Sequence, residues 1–98
     1  MNILSVVINV DVESINKLLD EINSDRSVPR NIRNMIAEAK NHLNDQKQEM
    51  PIRINSVISI LDDVSADPNV PVYTRTQIWN IVSLLEVMNE KIKTDKAV

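Results

Sequence analysis

The stretch Asp25-Arg26-Ser27-Val28-Pro29-Arg30-Asn31-Ile32-Arg33 returns 42 residues later as Asp67-Pro68-Asn69-Val70-Pro71-Val72-Tyr73-Thr74-Arg75. Extending the alignment outward pairs 15–43 with 57–85, and 8 of these 29 positions are identical, several times what composition alone produces. The chain is therefore built from two copies of one unit. Each copy of Asp-x-x-Val-Pro-x-x-x-Arg lies between two apolar-periodic segments, so the unit reads as helix, turn, helix. Proline opens the second helix with φ already set, where a missing N–H costs nothing. Val28 and Val70 are placed to plug the closed end of each hairpin. Asp25 and Asp67 stand where a carboxylate accepts N–H groups of the helix start, and Arg33 and Arg75 can reach back to the same carboxylate. Asp25, Pro29, Arg33, Asp67, Pro71 and Arg75 thus form a hairpin staple. The competing reading, two arginines making a paired ligand site, is the weaker one, because short motifs match often without carrying function.

Working outward, the 3.6-residue spacing of Leu4, Ile8, Val12, Ile15, Leu18, Leu19 and Ile22 predicts a first helix over about 4–23. A β-strand over Ile3–Val10 competes, since that segment is rich in β-branched residues, but nothing downstream alternates with period 2 to pair with it. A second helix is expected over about 30–44, with Ile32, Met35, Ile36, Ala39 and Leu43 inward. The third opens at Pro51, carries Ile54, Val57, Ile58, Leu61 and Val64, and stops before Asp67-Pro68. The fourth spans about 72–92 through Ile78, Ile81, Val82, Leu85 and Met88, and the patternless tail from Thr94 is expected to fray.

Composition agrees. The 98 residues include no glycine and no cysteine, so tight β-hairpins lack their φ > 0 residues, and disulfides and thiol chemistry are absent. One domain over 1–98 is expected, with hairpins at about 4–44 and 51–92. Two hairpins are too few for a HEAT-type solenoid, whose two-helix repeats have similar length. A closed four-helix up-and-down bundle buries more apolar surface and is the preferred all-α fold, two HEAT-like hairpins being the alternative. The net charge of −3 supplies no field for nucleic acid or an anionic membrane. The apolar run after Met1 is interrupted by Asn9 and Asp11 and is too short to span a bilayer. With no targeting segment, the cytoplasm is the default compartment.

The run from Ile60 to Pro71, followed by Thr74-Arg75, Ile78-Trp79 and Ser83-Leu84-Leu85-Glu86, resembles the archaeal uncharacterised protein family 0147. The first hairpin's Val28-Pro29-Arg30-Asn31-Ile32-Arg33 is similar to that family's other recognisable segment, so the resemblance covers most of 15–86. It implies a small helical protein of unknown function and brings no catalytic or binding residue.

Chemistry is sparse in the sequence. His42 has no second histidine or cysteine with which to hold zinc, so no metal site or cofactor is expected. The acidic pairs Asp20-Glu21 and Asp62-Asp63 point about 100° apart on a helix and cannot share a proton. Trp79, beginning a long apolar helix, is expected in the core rather than as a stacking platform. Two partner surfaces remain. Ile3, Val6, Val7 and Val10 point away from the buried face of the first helix, which suggests a homodimer or another protein partner. Arg26, Arg30 and Arg33, with Arg53 nearby, could meet phosphates or an acidic protein. The expectation is a non-enzymatic interaction or adaptor module that self-associates, with an RNA- or nucleotide-associated accessory protein as the alternative.

Overall fold

The structure is a computed structural model that describes the backbone of residues 3–97 and the side chains of residues 11–93. It contains four helices, α1 (Ile3–Asn23), α2 (Arg30–Leu43), α3 (Met50–Ser65) and α4 (Val72–Ala97). Ile3–Val10 is helical, as the missing pairing partner for a strand requires. At the other end, α4 continues past the expected stop near Ile92 and through the tail expected to fray, as far as Ala97.

Each helix packs on its neighbour in the chain and α1 closes on α4, and among the described residues the backbones make no close approach across either diagonal. That closure makes a square up-and-down bundle of 43 × 19 × 18 Å rather than an open pair of HEAT-like hairpins. The inward stripes meet in one core. Ile15, Leu19 and Ile22 of α1 face Ile32, Ile36, Ala39 and Leu43 of α2, joined by Ile54, Val57, Leu61 and Val64 of α3 and Ile78, Ile81, Leu85 and Met88 of α4. Val28 and Val70 are also buried and close one end of the bundle.

Two residues depart from the expected pattern. Trp79 is not in the core; it is 59% exposed. It lies about 100° around the helix from Ile78, and the inward positions of α4 are already filled by Ile78, Ile81, Leu85 and Met88. Thr74 is fully buried at the position where the first hairpin has Ile32, and its hydroxyl has no hydrogen-bond partner. A buried hydroxyl without a partner keeps its desolvation cost uncompensated.

Two stability changes follow in urea titrations. Leu61→Ala should lose about 3 kcal/mol through lost transfer energy and cavity formation. Thr74→Val should gain about 1 kcal/mol, since it keeps the shape and removes the unpaired hydroxyl.

Candidate functional site

The connections between helices are three copies of one loop. In residues 24–29, 44–49 and 66–71 the backbone bonds coincide position by position. Val28 N–H donates to Asp25 O (3.1 Å), Gln48 N–H to Asp45 O (3.1 Å) and Val70 N–H to Asp67 O (3.2 Å). The aspartate carboxylates close the same turns. Asp25 Oδ1 accepts Ser27 N–H at 2.9 Å, Asp45 Oδ1 accepts Lys47 N–H at 3.1 Å and Asp67 Oδ1 accepts Asn69 N–H at 2.8 Å. Each aspartate therefore stabilises its own turn, an Asx turn, and not the first N–H groups of the following helix. The helix starts at Pro29 and Glu49 have no side-chain cap.

The arginine eight residues after the aspartate also has a different partner from the one expected. Arg75 Nε donates to Ser65 O (3.1 Å) and its Nη2 to Asp67 O (2.8 Å), while Arg53 Nη1 donates to Leu43 O (3.1 Å). The guanidinium reaches back to the last carbonyl of the preceding helix, Leu43 O or Ser65 O, and in Arg75 also to the backbone carbonyl of Asp67 in the loop, instead of to the carboxylate. The helix-end carbonyls sit at the negative end of a helix dipole, which favours a cation there. In the first copy Arg33 Nε is buried without a hydrogen-bond partner.

Asp45 and Arg53 therefore make a third staple, which the 42-residue repeat does not reveal because Gln48-Glu49 replace Val-Pro. The spacing Asp-x7-Arg, common to all three, is the signal that finds it. The difference has a physical reason. In an up-and-down bundle loops 24–29 and 66–71 share one end, where Val28 and Val70 meet, while loop 44–49 stands at the other end and leaves Gln48 exposed.

The same topology breaks up the expected basic patch. Arg26, Arg30 and Arg33 belong to the first loop and the start of α2. Arg53 begins α3 at the opposite end and is committed to Leu43 O. The first end carries a polar latch between the hairpins instead. Tyr73 Oη donates to Asp25 Oδ2 at 2.7 Å, Ser27 Oγ donates to Asp25 Oδ1 at 2.7 Å, and the two hydroxyls touch. The Ser27 hydroxyl, then the Tyr73 hydroxyl and the Ser27 N–H, hold the Asp25 carboxyl below its ordinary range.

Two grooves mark the sides. A wide one of about 500 Å³ between α2 and α3 is lined by Glu38, His42, Ile52, Asn55, Ser56, Ser59 and Ile60. There His42 Nε2 lies 3.8 Å from Glu38 Oε1, both exposed. A smaller groove of about 140 Å³ between α1 and α4 is lined by Asp11, Ser14, Ile15, Leu84, Val87 and Lys91, and Lys91 Nζ pairs with Asp11 Oδ2 at 3.2 Å. Among the described residues no cluster of His, Asp and Glu could hold a metal ion, and no helix is long and apolar enough to cross a membrane. The candidate face Ile3, Val6, Val7 and Val10 lies outside the residues whose side chains are described. What the structure does show is an unpartnered outer face on α4, with Val72, Trp79 and Val87 at least half exposed and Leu84 beside them.

These features define a closed bundle of two helical hairpins turned by glycine-free Asx loops, with an apolar stripe on its last helix. Residues 6–88 match the Uncharacterised protein family (UPF0147), and the chain belongs to that family. It is 50% identical over 72 residues to the UPF0147 protein of Methanosarcina acetivorans, covering 74% of each chain. It is 51% identical over 69 residues to UPF0147 protein MJ1419 of Methanocaldococcus jannaschii, covering 70% of this chain and 74% of that one. Two solved structures share the fold. The crystal structure of the unknown-function protein MMP1188 is 50% identical with a TM-score of 0.75, covering 78% of this chain and 86% of its own. That of a UPF0147 protein from Thermoplasma acidophilum is 34% identical with a TM-score of 0.77, covering 82% of this chain and 94% of its own. None of these relatives has a stated activity, so function has to be read from the surfaces of the bundle.

The latch makes a pH prediction with a definite sign. The Asp25 carboxyl is lowered in the folded state, so its contribution is complete above the unfolded-state value of about 3.9 and is lost as pH falls through the lower folded value. Asp25→Asn and Tyr73→Phe should each flatten the acid side of the stability curve, measured by thermal melts between pH 2 and 6, about the range in which carboxylates titrate. Arg75→Ala should cost about 2 kcal/mol in urea unfolding, against less than about 0.5 for the exposed Arg26→Ala.

Proposed function

We propose that the protein is a non-enzymatic interaction or adaptor module that self-associates. The observation that supports this reading is the outer face of α4, where Val72, Trp79 and Val87 are presented to solvent on a bundle whose own core is already filled. A large aromatic held on a rigid helix with small polar neighbours is the composition of a binding hot spot, because burying it gains much apolar area for little ordering entropy.

The grooves give less support to catalysis. In the wider one, Glu38 and His42 are exposed and pair with each other across one helical turn, so neither is desolvated or held toward a nucleophile. The narrower is bounded by an ion pair already satisfied within the chain. Nucleic-acid binding also loses its main motivation once Arg53 is separated from Arg26, Arg30 and Arg33, since electrostatic attachment to phosphates depends on several cations acting together.

Gentle purification from native cells, with mass spectrometry and light scattering on the product, tests the proposal. The expected result is a stoichiometric protein companion or an oligomer of the protein itself, unchanged by nuclease. A monomer that carries no protein, or a complex held by RNA and dispersed by salt, overturns it.

A further inference from the structure

We infer that the outer face of α4 is an isologous interface for a second copy of this chain, with the two α4 helices packed antiparallel and Trp79 of each copy set opposite Ser83 of the other. This rests on the self-association reading above and gives it a surface and an orientation.

The face is narrow and continuous. At 100° per residue, Val72, Thr76, Trp79, Ser83 and Glu90 fall within about 60° of one another, with Val87 at one margin and Glu86 at the other. This arc is opposite the buried stripe of Ile78, Ile81, Leu85 and Met88, so a partner can reach it without disturbing the core.

Its size suits a second copy. Val72 is 75% exposed, Trp79 59% and Val87 50%, which together leave roughly 350 Å² of apolar surface in the range of functional patches. That is about half of the ~800 Å² per partner in a standard interface. Thr76, Asn80, Ser83, Glu86 and Glu90, all exposed, supply the polar remainder expected of a non-obligate one.

Charge sets the direction. The carboxylates of the face, Glu86 and Glu90, are both in its C-terminal half. The N-terminal half has no acidic residue in its first turn, and the Arg75 guanidinium on its flank is held by Ser65 O and Asp67 O of its own chain. A parallel pair would set Glu86 and Glu90 against their own copies. An antiparallel pair with its twofold axis between Asn80 and Val82 sets Glu90 against the positive start of the opposing α4, Glu86 against the uncharged Thr76, and bulky Trp79 against small Ser83. Glu90 also has Lys93 Nζ 3.7 Å away on its own helix, so it is Glu86 that an antiparallel pairing chiefly keeps from its own copy.

The protein supplies its own probe, since Trp79 is its sole tryptophan. The full-length chain should be followed by sedimentation equilibrium and by tryptophan emission from micromolar concentrations to about 1 mM, alongside Ser83→Arg and Glu86→Gln. Both substituted positions are exposed, and circular dichroism checks that each variant keeps its helices. The expected result is a dimer whose formation shifts Trp79 emission to the blue. Ser83→Arg should weaken it at least about ten-fold by placing two cations and their bulk at the centre of the seam. Glu86→Gln should leave it unchanged within about two-fold, since Glu86 then faces only the uncharged Thr76. Tighter association of Glu86→Gln would overturn the antiparallel orientation. A dimer that persists in Ser83→Arg with unshifted emission would overturn the α4 seam and leave self-association standing on another surface. A monomer throughout would overturn the seam and self-association together.

Discussion

The bond between an arginine in the first turn of one helix and the closing carbonyls of the helix before it governs how this chain turns. Helices commonly finish on a glycine in the left-handed region, which satisfies their last carbonyls. This chain has no glycine, and none of its described residues has positive φ. Asn44 and Ala66 end their helices at φ of −99° and −83°, so carbonyls at the helix end need another donor. Arg53 and Arg75 supply it from across the turn. Each cation stands in the first turn of its own helix, where the dipole disfavours it by some tenths of a kcal/mol. Charge-assisted hydrogen bonds of about 1.5–3 kcal/mol each outweigh that.

Because Arg53 and Arg75 tie the start of one helix to the end of another, loops 44–49 and 66–71 are rigid corners and not tethers. The Asx turn of Asp25, Asp45 or Asp67 shapes the corner, and at the second and third corners Arg53 and Arg75 clamp it to the helix already made. Repeating such a corner three times directs four helices up and down. The amphipathic stripes then decide how they close, because α1 and α4 are left with inward faces that only each other can cover. The corners set direction and the core sets closure, and neither suffices alone.

The corners diverge according to what lies beside them. Loops 24–29 and 66–71 share an end, and there Val28 and Val70 exclude water while Tyr73 ties one loop to the other through Asp25. Loop 44–49 has no facing loop, so nothing selects an apolar residue at its fifth position or a proline at its sixth, and Gln48-Glu49 stand there. The latch is one-sided as well: the position matching Tyr73 in the first hairpin is Asn31, which is too short to reach the opposite aspartate.

The sequence by itself determined the helices, their inward faces and the doubled hairpin, because these depend on residue spacing and on proline and aspartate chemistry that act within a few residues. Ile36 and Ile78, or Leu43 and Leu85, are legible as core from period alone, and the resemblance of Val28–Arg33 and Ile60–Glu86 to an uncharacterised family was legible as well. Only the tertiary structure decided which end of the bundle each loop occupies. That placement separated Arg53 from Arg26, Arg30 and Arg33, revealed the Asp45–Arg53 corner as a third copy, and sent Arg53 and Arg75 to carbonyls rather than carboxylates. It also decided Trp79. The period of α4 marks one buried face, but whether a residue off that face meets another helix or open solvent depends on where the neighbouring helices stand. In this square bundle no helix covers the outside of α4.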